Sequence, residues 1–345
     1  MTTIIEYIKD TGGWFARVFS PSSNKIIFLE LVDDELLNKL KKFINSMENR
    51  IGAAFAEWYA RTHLQELFRA FIEPLQSYLP APGHKERLVL VPSGVLHQLP
   101  LNAAQNPKTK RYLTQDYTLI FTPSLLILRQ ALNLARQARW QPTPIERVLY
   151  IAYSGQKHLA EEYCLCLSKI KKSINKMSEM FSAVKPLIEK KATIKSATTN
   201  ALDRELVHFF CHGVFNPHPA KKSGLLLYDD EFLTASRIMT NFELSRAHLT
   251  VLAACQSGRM TGNDSLIKAF LNVKSKAVVA TLWKVNEDSM HTFFYHFYHA
   301  IKEGHLPAYA LSNAAEKMRQ TKGLEHPYYW AAFQVSGLAY GMPPA

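Results

Sequence analysis

Two apolar segments of this 345-residue sequence stop at residues that packing alone does not require. LVHFFC (206–211) runs into His212-Gly213, and LTVLAA (249–254) runs into Cys255-Gln256-Ser257-Gly258. The thiolate is the attacking form of cysteine, and a free thiol is only slightly ionised near neutral pH, so a histidine beside Cys255 would supply the missing base. The same imidazole could then protonate a leaving amine once an acyl-enzyme has formed. Gly213 has no side chain to keep a substrate carbonyl away, and the N–H groups of Gly213 and Cys255 are candidates for an oxyanion hole. A cysteine at the end of an apolar strand is otherwise a small buried hydrophobe, and that reading competes for Cys255 until more is known of its neighbours.

Other residues of reactive type read as packing. Cys211 lies on the strand beside His212, and His208 is expected to be a core or edge histidine with its ring satisfied. His291, His296 and His299 alternate with Phe293, Phe294, Phe297 and Tyr298, which suits surface or interface positions of a helix better than a metal site. Cys164 and Cys166 form a Cys-x-Cys pair without a second pair or a nearby histidine, so no metal and no cofactor are expected. Ser257 lacks the glycine two positions earlier that a serine-hydrolase elbow needs; Cys255 stands there instead.

The elements that must carry these residues can be read from periodicity. Short, continuous apolar runs at 87–92, 117–122, 148–153, 206–211, 249–255 and 276–283, with a last one near 331–336, suit strands buried on both faces. Helical stretches alternate with them, which predicts an α/β fold with a mostly parallel sheet covered on both sides. In such sheets ligands bind beyond the carboxyl ends of the strands, the address of both His212 and Cys255. The first eighty residues predict a strand or two, around 14–18 and 25–31, and then helices. One of these carries Leu64, Leu67, Phe68, Phe71, Ile72 and Leu75 at three- and four-residue steps. A long helix is predicted between 156 and 185, its stripe including Cys166 as a core residue, with later helices at 288–302 and from Pro307 to 320.

Composition bounds the function. An apolar share of 47% supports a large core, while no apolar run approaches the length needed to span a bilayer and the start MTTIIEYIKDTGG does not have the order of a signal peptide. A cytoplasmic protein without membrane association is expected. The net charge of +12 is dispersed. Its densest stretches, 108–111, 169–172 and 185–191, fall on predicted loops or an outer helix face without aromatics interleaved for base stacking, so nucleic acid is expected to be at most an indirect partner.

Taken together and in order, the motifs carry a resemblance. LVLVPSGVLHQLPLNAA (88–104), TPSL (122–125), HFFCHG (208–213), SGLLL (223–227), LTASRI (233–238), LTVLAACQSG (249–258), AVVATLWKVNEDS (277–289) and HPYYWAAFQVSG (326–337) resemble the CHAT domain, a caspase-like cysteine peptidase module related to separase. The resemblance implies a caspase-like sheet flanked by helices, with an amino-terminal helical and pseudo-caspase-like lobe (1–145) against a peptidase lobe (146–345). It also implies His212 and Cys255 as the catalytic dyad. In the family's W-x-V-x-D pattern the acidic place falls on Glu287, with Asp288 adjacent. Either could receive an arginine or lysine of the substrate through charge-assisted hydrogen bonds, and either could equally be a favourable acid in a helix's first turn. Two departures from the family, at 259–270 and at VKSK (273–276), predict altered loop geometry near the thiol.

The expected activity is therefore that of a cysteine endopeptidase acting on a protein substrate after Arg or Lys. The resemblance implies activation by a signal or by a regulatory partner such as a repeat-containing chain, and a setting in bacterial defence or cell death. The alternatives are a binding scaffold that keeps the fold without turnover and, further off, a nucleic-acid-binding protein.

Overall fold

The computed structural model describes residues 2–20, 23–49, 57–82, 86–137, 142–155, 165–214, 224–259 and 265–339. The chain opens with an antiparallel meander of β1 (Thr2–Asp10), β2 (Gly13–Ser20) and β3 (Ser23–Phe28). The expectation of one or two strands here misses β1, whose mark is alternation: Thr3, Ile5 and Tyr7 are buried and the residues between them are not. Helices α1 (Asp34–Asn49) and α2 (Glu57–Phe71) follow, and α2 buries the stripe of Leu64, Leu67, Phe68 and Phe71 read from periodicity. Next come β4 (Glu86–Val91), the one-turn α3 (Leu113–Asp116), β5 (Tyr117–Phe121) and α4 (Leu125–Gln137).

The second half contains β6 (Arg147–Ala152), α5 (Leu167–Ser178), β7 (Ala183–Ile188), α6 (Ile194–Ala201) and β8 (Leu206–Phe210). Short strands β9 (Gly213–Val214), β10 (Gly224–Leu226) and β11 (Phe232–Leu233) form a separate small sheet. Then follow α7 (Ala235–Asn241), β12 (Leu249–Ala253), α8 (Leu266–Asn272), β13 (Ala277–Thr281), α9 (Glu287–Lys302), α10 (Pro307–Arg319) and β14 (Phe333–Gly337). Among the described residues no helix is long and apolar enough to cross a membrane.

The long helix predicted between 156 and 185 is corrected. Residues 156–164, Cys164 among them, lie outside the described residues; among the described ones the helix is α5, and its expected end is the strand β7. Pro186 suits the strand, because β7 is the outermost one of the sheet and tolerates a missing donor. Cys166 is likewise not in the core. It is the residue that precedes the first turn of α5, partly open to solvent, with its sulfur 3.1 Å from Ser168 Oγ.

Among the described residues eleven strands join in one sheet, in the order β3-β2-β1-β4-β5-β14-β13-β12-β8-β6-β7. Its pairings are parallel except at β1–β2, β2–β3 and β13–β14. The central strands show why their sequences are unbroken apolar runs. In β8, Leu206 and Phe210 face the layer that holds α1, α2, α9 and α10, whereas Val207 and Phe209 face the layer of α6, α7 and α8. β6 and β12 alternate in the same way, so both faces of each strand are buried and neither can carry a polar row.

Candidate active site

Three neighbouring strands end at the same level. Ala152 of β6 pairs with Phe210 of β8, and Phe210 pairs with Ala253 of β12, all three pointing into the same layer. Two residues beyond each of them stand Ser154, His212 and Cys255. Equal offsets from one paired row bring these three residues to the same edge of the sheet.

The backbones at this edge are in contact. A Cβ built on Gly213 would lie 2.1 Å from the carbonyl oxygen of Cys255 and 3.3 Å from the carbonyl carbon of Ala254. The glycine after His212 is thus what allows the two strand ends to close on one another. Sequence reasoning assigned its bareness to substrate approach; the structure adds this second, structural reason.

His212 is oriented by the first of the three strands. Its Nε2 lies 3.1 Å from the carbonyl oxygen of Ser154. A carbonyl only accepts, so Nε2 carries the hydrogen and Nδ1 keeps the lone pair of a neutral ring. Desolvation holds the imidazole below its ordinary range; the Ser154 carbonyl and Glu287 work against this and Lys284 works with it. The Ser154 N–H in turn donates to Glu189 Oε1 at 2.9 Å. Glu189 sits at φ 52°, a left-handed conformation that a non-glycine residue adopts only under constraint. Glu189→Ala is expected to lower kcat about ten- to a hundredfold with KM little changed, because the histidine loses its anchor rather than the substrate its site. Glu189→Gln keeps the acceptor and should retain most of the rate in the same steady-state assay.

Cys255 keeps a partial opening to solvent, yet burial pushes its thiol up to about 11, with Lys284 opposing the rise and Glu48 adding to it. The turn that follows is stitched to β13. Ser257 Oγ donates to Leu252 O at 3.1 Å and accepts from Thr281 N at 3.2 Å, while Gly258 N donates to Thr281 O at 2.8 Å. The serine hydroxyl is therefore committed to structure, in keeping with the rejection of a serine-hydrolase elbow. Cys211 is fully buried on the opposite layer, and burial drives its thiol well up.

The two acids after Trp283 part company. Asn286 caps α9, its side chain accepting from Ser289 N, so Glu287 and Asp288 open the first turn. Glu287 accepts the N–H of Cys166 at 3.0 Å, lies 3.7 Å from His291 Nε2, and acts on the field at His212. Asp288 points outward and pairs with Lys169 at 2.8 Å. The structure brings Glu287 near His212 and Asp288 to the surface.

Two histidine expectations need correction. His208 is fully buried, hydrogen-bonded through Nδ1 to Tyr298 and stacked on Phe210, but its Nε2 has no partner, so the ring is only half satisfied. Burial keeps it well below its ordinary range, and a neutral ring is what such a site tolerates. His291 is not at the surface: it turns inward against Phe210, and both of its nitrogens are buried without a hydrogen-bond partner. His299 is exposed and pairs with Glu303, as a surface position should.

Sequence reasoning missed Ser154, Glu189, Glu48 and Lys284. Ser154 had a usable signal, since it follows the apolar run 148–153 as His212 follows 206–211. Glu48 had a weaker one: it is an acid in the last turn of α1, where the helix dipole disfavours negative charge and no basic residue offsets it.

The chain is similar to known proteins in sequence and in fold. The chain is similar to Tetratricopeptide repeat protein 28 of Mus musculus, 24% identical over 338 residues, which is 81% of this chain but 13% of that protein. It therefore spans only a small part of the curated relative. Among solved structures it is similar to the Arg specific cysteine proteinase gingipain R, with TM-score 0.51 and 9% identity over 88% of this chain and 74% of that one. It is also similar to separase in the separase–securin complex of Saccharomyces cerevisiae, with TM-score 0.49 and 15% identity over 89% of this chain and 23% of that one. The fold is the caspase-like one that the motifs imply. Because the CHAT domain profile matches residues 61–338, a span that takes in the ends of all three strands at the site, the chain belongs to the CHAT domain family.

Proposed function

We propose that this protein is a cysteine endopeptidase that uses Cys255 as nucleophile and His212 as base, and that it cleaves after arginine or lysine. The observation that supports it most is the common offset of Ser154, His212 and Cys255 from one paired row, with Nε2 of the histidine already occupied by a carbonyl. Nδ1 then takes the thiol proton, the thiolate carbon–sulfur bond forms at the scissile carbonyl, and the imidazolium returns the proton to the departing amine. Water then hydrolyses the thioester. The N–H groups of Gly213 and Cys255 are the proposed donors to the oxyanion.

Glu287 is the proposed acceptor of the basic side chain, supported by its place beside the dyad. Asp288 is the outer candidate, available once Lys169 lets go. Glu287→Gln should lower kcat/KM for an arginyl reporter peptide by about 10- to 100-fold, the worth of a charge-assisted hydrogen bond, and leave a neutral-residue peptide unaffected. Equal losses on both peptides would assign Glu287 to the first turn of α9 alone.

Burial works against the charged forms of both groups, raising the Cys255 thiol and lowering the His212 imidazole, as in a resting dyad that is off. That observation supports activation by a partner, and the name of the curated relative suggests its kind: a tetratricopeptide repeat segment, on this or another chain. It also favours the second reading, a binding scaffold without turnover. The test is cleavage of arginyl and lysyl peptides by wild type and Cys255→Ala, each with and without a repeat-containing partner. Cleavage in wild type only supports the peptidase; identical traces in all arms reject it in favour of the scaffold.

A further inference from the structure

We propose that Glu48 is a positioning residue for the Cys255 turn, through which the amino-terminal helix α1 sets both the shape and the charge around the nucleophile. The inference rests on reading Cys255 as the nucleophile. One carboxylate gathers three donors from two separate loops. Glu48 Oε2 accepts from Arg259 Nη2 at 2.7 Å, and Oε1 accepts from the side-chain amide of Gln256 and from the backbone N–H of Lys284 at 3.3 Å. Arg259 completes the clasp by donating from Nε to the Leu282 carbonyl at 3.0 Å. The loop after β12 and the loop after β13 are thus tied to each other and to a helix more than 200 residues earlier in the chain.

Three features argue that this is more than a surface ion pair. Glu48 and Arg259 side chains are each only 12% exposed, so losing one partner leaves the other charge in a poorly solvated place. Gln256, the residue directly after the nucleophile, sits at φ 56°, a left-handed conformation costly for a residue with a side chain, and its amide is held by Glu48. Finally, Glu48 occupies the last turn of α1, where a carboxylate works against the helix dipole; a residue that breaks a local rule points to a tertiary role.

The charge matters as well as the reach. The charged groups that act on Cys255 are Lys284 from the β13 loop and Glu48 from α1, with Arg259 bound to it; the Cys211 thiol, at the end of the neighbouring strand β8, interacts with that of Cys255, and Glu287 and Lys284 act on His212. Among these, Glu48 acts against the thiolate and Lys284 acts for it. A partner that drew α1 away would therefore remove a carboxylate from the thiol and free its turn in one movement.

The test reads iodoacetamide alkylation of Cys255 against pH in wild type, Glu48→Gln and Glu48→Asp, with peptide cleavage and thermal melting measured alongside. Glu48→Gln should alkylate at least about threefold faster at pH 8, because the thiolate loses a facing carboxylate, and should cleave at least about tenfold more slowly because the turn is released. Glu48→Asp keeps the charge but shortens the reach, so its alkylation profile should stay near wild type while cleavage falls. An alkylation profile unmoved in Glu48→Gln, even with a lowered melting temperature, marks a merely structural ion pair and overturns the proposal. Alkylation needs no turnover, so a wild type that cleaves nothing defeats the peptidase reading while the alkylation comparison still decides the role of Glu48.

Discussion

Cys255→Ala is expected to reduce cleavage of arginyl and lysyl peptides to the uncatalysed background, and His212→Ala to lower kcat about 10³-fold. The two effects should not add. Once the thiol is gone the histidine has no proton to take, so the double variant should match Cys255→Ala alone. The pH dependence follows from the environment of each group. Burial pushes the Cys255 thiol up to about 11, and desolvation lowers His212, so near neutral pH the resting pair is thiol and imidazole rather than thiolate and imidazolium. Alkylation of Cys255 in the resting protein should therefore rise about tenfold per pH unit from neutrality toward pH 10, with no plateau on the way. An activating partner should bring a plateau into the neutral range, since activation must lower the thiol or raise the imidazole. A resting plateau below pH 8 would show that the ion pair is already formed and that the site needs no switch.

Gly213→Ala should be nearly as damaging for catalysis, for a different reason. The added methyl would sit 2.1 Å from the carbonyl oxygen of Cys255, well inside any allowed contact. Both the methyl and its obstacle are fixed to backbone, so no rotamer change relieves the clash and the two strand ends must part. Overpacking of this kind costs about 1–3 kcal/mol of stability. The catalytic loss should be larger in proportion, about a hundredfold or more, because a displacement of an ångström between nucleophile and base removes a near-attack geometry. Thermal melting and steady-state kinetics separate the two: a folded Gly213→Ala with wild-type kcat would show that the strand ends can open without disturbing the chemistry.

Three strand ends supply position, and the surroundings hold the chemistry back. Ser154 fixes the imidazole, Gly213 lets the strands meet, and Ser257 and Gly258 bind the turn to β13. Against this, burial and Glu48 hold the sulfur protonated. The proposed activation by a partner fits this division between positioning and charge.

Much of this was legible in the residues. Strands buried on both faces leave no polar row, so β4, β5, β6, β8, β12 and β13 stand out as apolar runs, and the first polar residue after each marks a carboxyl end. His212 and Cys255 stand out in the sequence for that reason. Elements whose signal is shared between two periods were not so clear. β1 alternates over only a few residues, and Phe181 and Val184 continue the apolar stripe of α5 closely enough for β7 to pass for one helix with it.

What the sequence by itself determined, then, is the kind of element and the chemistry at its end, because local periodicity and residue type reflect how a segment is buried. Only the tertiary structure decided which ends are neighbours. The chain order of β6, β7, β8 and β12 becomes β12-β8-β6-β7 in the sheet, and this rearrangement brings the Ser154 carbonyl to His212. The reach of Glu48 to Gln256 and Arg259, and the separate paths of Glu287 and Asp288, belong to the same class. Hydrogen bonds between distant segments depend on how helices pack and loops close, and no local pattern of residues encodes that.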